Sequence, residues 1–315
     1  MAQIFIINND STLLNCLYEL FPGQSRTGVK AYLKDGRVIV NKKNISAFDY
    51  PVKKGDTIEI LSKGASIGRE MKLEAKDILA RNGVRIIYED EHLIVIDKNA
   101  GLPSIAPKSK SDRRVKSAYS LLTDYMHTEK RANIKSGEGD YKASSRVFVV
   151  HRLDRDTSGL LLFAKDEYTK QLMQSKWNEM VLERKYIAVL EGRPDKDSGR
   201  IESWLSENEK SLKVSSSPVP VEGGQHAVSY FKVLEARKRC CVVEFELETG
   251  RKNQIRVHAS KVLGKPIIGD KKYDAVSGFK GRIALHAKTL VFRNPYGGMT
   301  MSFESPVPVE FDYLK

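Results

Sequence analysis

The sequence predicts an α+β protein of two domains. Helical periodicity alternates with short strands over residues 1–62, the apolar run Leu160 to Ala164 is bounded by turn formers, and strands dominate the second half. A chain of 315 residues has length for about two domains and a sizeable core. Ser11-Thr12 can cap a first helix, whose apolar positions Leu13, Leu14, Leu17, Tyr18 and Phe21 follow helical spacing up to Pro22-Gly23. A second helix carries Val29, Ala31, Tyr32 and Leu33 among Arg26, Lys30 and Lys34, and stops at Asp35-Gly36. Strands are expected at Arg37 to Asn41 and, after the turn Pro51 to Asp56, at Thr57 to Leu61.

Residues 63–82 are polar, with Gly64, Gly68 and few large apolar positions, which fits a linker. The domain boundaries expected are therefore 1–62, a linker at 63–82, and 83–315. Arg85 to Tyr88 and His92 to Lys98 read as two strands around Glu89-Asp90-Glu91. Between 108 and 146 lie ten basic and five acidic residues around a helix expected over Ser117 to Met126, a candidate wall of an RNA groove. Residues 160–164 then form an interior strand entered through Thr157-Ser158-Gly159, followed by a helix from about Asp166 to Trp177 and a strand at Tyr186 to Leu190. Further strands are expected at Ala227 to Leu234, Cys241 to Leu247, Thr289 to Phe292 and Met299 to Phe303.

Composition narrows the partners. Hydrophobic residues at 41% and charged ones at 30% describe an ordinary soluble protein, and a net charge of +13 marks a polyanion partner, nucleic acid ahead of an anionic membrane. Cys16, Cys240 and Cys241 follow no zinc spacing and make an odd count, so a reducing compartment, the cytoplasm, is expected. Met1 to Ile7 has no leader pattern and no run approaches the ~20 apolar residues of a membrane span. No loop of phosphate-binding type and no His/Cys cluster at metal spacing is present, so neither metal nor cofactor is expected.

The stretch His151-Arg152-Leu153-Asp154-Arg155-Asp156-Thr157-Ser158-Gly159 sets a carboxylate among basic neighbours at the mouth of the interior strand. A solvated ion pair is the plain alternative reading of Asp154. A hydrolase built on Ser158, His151 and Asp154 would need a sharp nucleophile elbow that Asp156-Thr157-Ser158-Gly159 does not provide. A glycosidase would need a second carboxylate about 5 Å away, and Asp156 points to the opposite face if the segment is extended.

Three segments in order resemble the RluA-type pseudouridine synthases, which modify ribosomal and transfer RNA: residues 151–165, Glu183 to Val189, and Thr249-Gly250-Arg251-Lys252-Asn253-Gln254-Ile255-Arg256-Val257-His258 with its extension Gly264 to Asp270. The resemblance covers roughly residues 83–315 and implies a catalytic domain on a mixed, mostly antiparallel sheet with its cleft across that sheet. It implies Asp154 as nucleophile, on the uracil ring or on the anomeric carbon, paired with Arg256, with Arg251 the second candidate for that pairing. Tyr186 would stack on the target base and help remove the proton from carbon 5. Arg152 would fill the gap left by a flipped base, a motion costing a few kcal/mol. His151 is expected to be a structural hydrogen-bonding residue beside the RNA. Asn253 stands where the family usually has His, while His258 beyond it is retained.

Residues 1–62 resemble the αL RNA-binding domain first seen in a small-subunit ribosomal protein, through Ser25-Arg26, Gly36 to Asn41 and Val52 to Ile58, but Leu13 to Leu17 lacks the usual Arg and Asp of the first helix. With eight basic and six acidic residues it is only mildly basic; Arg26, Lys30, Lys34, Arg37, Lys42 and Lys43 are its candidate phosphate contacts. The function expected is isomerisation of specific uridines to pseudouridine by a monomer, in large-subunit ribosomal RNA ahead of transfer RNA, because a large folded substrate rewards a second phosphate-binding surface. The rival from another class is a non-catalytic RNA-binding or ribosome-assembly factor.

Overall fold

The computed structural model describes residues 3–106, 115–136, 145–209 and 211–314. The chain divides into two units, residues 1–78 with 123–145, and residues 79–122 with 146–315. The first contains β1 (Gln3–Ile6), β2 (Ser11–Thr12), α1 (Leu13–Leu20), α2 (Arg26–Lys34), β3 (Val38–Val40), β4 (Lys43–Asn44), β5 (Pro51–Val52) and β6 (Thr57–Ile60). One sheet runs in the order β1-β6-β3-β4, all antiparallel, and β2 pairs with β5. Leu13, Leu17, Val29, Leu33, Val38, Val40 and Ile58 close a single apolar core between helices and sheet.

Ser25 caps α2 as a side chain should, accepting from the Gly28 N–H at 3.1 Å. α1 starts differently. Thr12 stands at its N-cap without a side-chain bond, and the first helical N–H groups donate instead to carbonyls of the turn before β5, Leu13 to Tyr50 at 2.8 Å and Leu14 to Phe48 at 3.1 Å.

The linker expected at 63–82 is a helix, α3 (Lys63–Arg81). Its two glycines are contact residues. A Cβ on Gly64 would lie 2.2 Å from the Lys135 carbonyl oxygen and one on Gly68 2.7 Å from that of Ala132. Glycines four apart make a groove in α3 into which the end of α4 (Ala118–Ser136) packs backbone to backbone, burying Ala132 fully. Polarity on the remaining face made the segment read as a spacer. α4 begins where the sequence placed it and runs ten residues further; most of the other basic residues of 108–146 fall in 107–114 and 137–144, outside the described residues.

The second unit is built on β7 (Val84–Glu89), β8 (Leu93–Lys98), β9 (Phe148–Val149), β10 (Ser158–Ala164), α5 (Glu167–Ser175), α6 (Trp177–Met180), β11 (Val181–Glu191), β12 (Ser198–Glu207), β13 (Val214–Ser217), β14 (Gln225–Ala236), β15 (Cys240–Leu247), α7 (Gln254–Val257), β16 (Leu285–Arg293) and β17 (Thr300–Glu304). Its strands join in the order β13-β12-β14-β15-β11-β16-β10-β8-β7, with β17 on β16 and β9 on β10. Among the described residues only β10 and β16 pair parallel, so the sheet is mixed and mostly antiparallel, as expected. β10 is buried along its whole length, which is why its sequence shows no alternation. Leu160 and Leu162 pack with Val95, Met173 and Phe292 on one face of the sheet.

β12 and β13 were not anticipated. Along β12 the buried positions alternate as Ile201, Ser203 and Leu205, and the serine in the middle hides the apolar pattern. β10 and β16 meet at Gly159 and Ala287, where Gly159 has φ +111° and a Cβ would lie 2.1 Å from the Ala287 carbonyl oxygen. Gly159→Ala should lower stability by at least about 3 kcal/mol, because it adds a backbone clash to a strained φ. Urea unfolding measures this, and an unchanged midpoint would count against so close a strand approach.

Candidate active site

Asp154 lies on the loop between β9 and β10, and the loop is held from below. Ser104 Oγ donates to the Leu153 carbonyl at 2.8 Å and accepts from the Leu153 N–H at 3.1 Å. Lys98, fully buried, donates from Nζ to the carbonyls of Leu102 at 2.8 Å, Asn99 at 3.0 Å and Arg155 at 3.1 Å. Burial pushes its pKa down to about 7, against the pull of Asp156 and Asp154. On the other flank His151 Nε2 accepts the Leu162 N–H at 3.0 Å, and burial, with the Arg184 charge beside it, lowers its pKa to about 3. His151 is thus neutral, engaged with a strand, and no cation for phosphate. Pinned on both sides, the loop leaves the Asp154 side chain 29% exposed.

Arg256 meets it from α7. Nη1 donates to Asp154 Oδ2 at 3.2 Å and to Asn253 Oδ1 at 3.1 Å, while Nε and Nη2 form a two-point pair with Asp270, both at 2.7 Å. Burial works against the guanidinium's charge, and the bonds and fields of Asp270, then Asp154, outweigh it and raise its pKa. Asn253 opens α7 in the left-handed region at φ 56°, and its Nδ2 donates to the Tyr273 hydroxyl at 2.8 Å. An asparagine tolerates that backbone and still bridges Arg256 to Tyr273, whose ring lies 5.0 Å from the guanidinium. Behind α7, Gln254 bonds Thr249, Val228 and Ser229, and His258 sits between Ser229 and Ser203 at 3.0 and 3.1 Å. Asp154 Oδ1 takes no hydrogen bond from the described residues, so one oxygen of the carboxylate is open to the cleft.

The cleft has a volume of about 610 Å³, with the Asp154 loop, β11, the Thr249–Arg256 turn and α6 as its walls. Tyr186 is buried in it, on β11, and burial raises its pKa, Arg184 opposing and Asp154 adding to the effect. A phenol so placed stays protonated. Arg152 is exposed at the edge, without a hydrogen bond or ion pair among the described residues, and Arg251, also exposed, donates Nε to the His226 carbonyl at 2.9 Å.

The fold therefore gathers Asp154, Tyr186, Arg256, Arg152, His151 and Arg251 around one cleft. Arg26, Lys30, Lys34 and Arg37 belong to the first unit. The first three are exposed and four residues apart on α2, so they share a face. Arg37 is a brace, with Nε on the Leu61 carbonyl at 2.7 Å and the guanidinium 4.4 Å from the Tyr32 ring centre. The hydrolase constellation is not assembled: Ser158 Oγ lies 2.9 Å from His286 Nδ1 and accepts from Arg282 at 2.7 Å, away from His151. Asp156 pairs with Arg155 at 3.0 Å in a turn, not in an extended segment. Among the described residues no three His, Cys, Asp or Glu side chains cluster as metal ligands would. Asp270, Tyr273, Lys98 and Arg184 were not anticipated. Two of them had a signal: Arg184 stands two residues before Tyr186 and so on the same face of a strand, and Asp270 closes the extension of the third resembling segment.

Residues 92–261 match the RNA pseudouridylate synthase family. The chain is 33% identical over 293 residues to the RNA pseudouridine synthase YlyB of Bacillus subtilis, covering 92% of this chain and 88% of the relative. It is 32% identical over 311 residues to ribosomal large subunit pseudouridine synthase C of Rickettsia bellii, covering 96% of each. In fold it is similar to human RNA pseudouridylate synthase domain containing 4, with a TM-score of 0.57 and 23% identity over 78% of this chain and 95% of that one. The chain belongs to the RNA pseudouridylate synthase family, in its RluA-type branch, and is an isomerase acting on RNA.

Replacing Asp270 by Asn leaves a buried guanidinium short of its strongest partner. Asp270→Asn should cost about 3–5 kcal/mol of stability and draw Arg256 onto Asp154, slowing pseudouridine formation. Unfolding midpoints and single-turnover rates check both. The half-buried His151 and the buried His258, with its pKa near 4, and His286 are all lowered by desolvation. Below the ordinary value of about 6.5 the unfolded chain binds protons that the native one refuses, so stability is full above that pH and falls on acidification toward pH 4. His258→Asn should flatten part of that slope in melting temperature against pH; an equal slope would sink this account.

Proposed function

We propose that the protein isomerises specific uridines in large-subunit ribosomal RNA, with Asp154 as nucleophile and the target nucleoside turned out of its helix into the cleft. The observation that carries this is the Asp154–Arg256 pair at 3.2 Å facing Tyr186 across one cleft. Arg256 donates to one oxygen of Asp154, and Asp270 keeps the guanidinium from closing on both, so the other oxygen is free to attack. Asp154 forms a bond to the anomeric carbon or to the uracil ring as the glycosidic bond to N1 breaks, the base turns, carbon 5 joins the sugar, the bond to Asp154 is released, and the proton of carbon 5 leaves. Tyr186, with its pKa raised, stacks on the base as a neutral phenol and is no acceptor for that proton, which passes to water once the new carbon–carbon bond has acidified it. Arg152, exposed at the edge, is the side chain placed to fill the vacated stack.

The ribosomal substrate is supported by relatives named for the large ribosomal subunit in Rickettsia bellii and Pseudomonas aeruginosa, by the net charge of +13, and by the row Arg26, Lys30 and Lys34. We assign residues 1–62 as an αL-type RNA-binding domain, 83–315 as the catalytic domain, and the protein to the cytoplasm as a monomer. No helix among the described residues is long and apolar enough to cross a membrane.

Wild type and Asp154→Asn are incubated with unmodified large-subunit ribosomal RNA and with transfer RNA transcripts, and pseudouridine is mapped at nucleotide resolution. Wild type should modify the ribosomal RNA alone, and Asp154→Asn should lose turnover by a factor of 10⁴ or more while binding RNA as before. Modification of transfer RNA overturns the substrate; an active Asp154→Asn overturns the nucleophile.

A further inference from the structure

The cleft holds a second buried arginine that the reaction as described does not use. Arg184 is 8% exposed, and Arg256 is 9% exposed. Arg256 is paired with two carboxylates, whereas Arg184 has no ion pair among the described residues. Its only hydrogen bonds there run from Nη2 to the carbonyls of Leu247 and Glu248, each at 3.0 Å. A guanidinium out of water without a counter-charge is costly, and burial lowers its pKa accordingly.

Its orientation is set on every side. The Nη2 end is tied to the turn after β15, and Trp177 lies under the guanidinium with its ring centre 5.6 Å away. Tyr186 stands two residues on, along the same face of β11. Gly250 leaves space at the free end, since a Cβ there would come within 2.7 Å of Nη1. No buried side-chain nitrogen or oxygen among the described residues lacks a partner, so Nη1, which has none, opens on the cleft that Arg184 lines. The neighbours His151, Trp177 and Tyr186 are all neutral or apolar, and none can supply the missing negative charge.

We infer that Arg184 is a substrate-binding residue whose Nη1 takes a phosphodiester oxygen next to the target uridine. The inference rests on the reading of this cleft as the uridine site. A flipped nucleotide brings one kind of anion with it, the phosphate of its own backbone, and an uncompensated arginine fixed beside the base-stacking tyrosine matches that charge. A uracil carbonyl would satisfy the N–H but leave the charge unanswered. Held in this way, the nucleotide is drawn in by its backbone before its base reaches Asp154.

The test uses an oligonucleotide that the wild type modifies, made with a neutral methylphosphonate at the linkage 5′ or 3′ to the target uridine. Affinity is measured at fixed salt for wild type, Arg184→Lys and Arg184→Gln. One of the two neutral linkages should weaken wild-type binding by about tenfold, the worth of one charge-assisted bond, and should weaken Arg184→Gln no further. Arg184→Lys should recover part of the difference. Equal penalties in wild type and Arg184→Gln overturn the assignment. So does a wild type indifferent to both linkages, a result that needs no variant to fold. Failure to find any RNA that the wild type modifies takes down the uridine site and this inference together, whereas a modified RNA without a methylphosphonate effect removes Arg184 alone.

Discussion

Two carboxylates share one guanidinium, and the inequality of the sharing is what the site depends on. Asp270 holds Arg256 at two points of 2.7 Å, while Asp154 has a single contact at 3.2 Å. An aspartate alone with an arginine would settle into the two-point geometry and surrender both oxygens. With that geometry taken by a second, fully buried aspartate, Asp154 receives the field of the cation without the embrace. The supports of Arg256 follow from the same requirement. Asn253, Tyr273 and the chain from Thr249 through Gln254 and Ser229 to His258 and Ser203 fix a turn whose one task is to aim this side chain.

The sheet supplies the distances. β11 lies between β15 and β16, and its regular pairing with β15 places Arg184 and Tyr186, two residues apart, on the same buried face toward the cleft. The Asp154 loop enters β10, on the far side of β16 from β11, at a place where only a glycine lets it pass β16. Asp154 and Tyr186 thus come from two elements of one sheet, and Arg256 from a turn bound to that sheet by buried hydrogen bonds.

Much of this was legible in the sequence because it was written in short, local signals. The run Leu160 to Ala164, the spacing of Leu13, Leu17 and Val29, and the three ordered segments around Asp154, Tyr186 and Arg256 gave the strand, the helices, the family and the composition of the cleft. What escaped was non-local. Gly64 and Gly68 look like spacer residues until the helix they touch is known, and Ser203 looks like a break in a strand until His258 is found behind it. Asp270 and Tyr273 bear on Arg256 across 14 and 17 residues, with nothing in spacing to show it. Arg37 read as a phosphate contact because a sequence shows charge and not occupation.

Lys98 brings three carbonyl oxygens to one ammonium beneath the catalytic loop. That is the coordination of a monovalent cation site in which the ion is tethered to the chain. A free ion would leave as the medium is diluted and crowd in as it is concentrated, and the loop would change shape with it. A tethered one, while it is protonated, which burial confines to pH below about 7, keeps its occupancy whatever the ionic strength. Contacts with an RNA backbone weaken as salt rises, but the platform that carries Asp154 does not share that sensitivity: the enzyme can lose its grip on the polymer while the geometry around Asp154 stays intact.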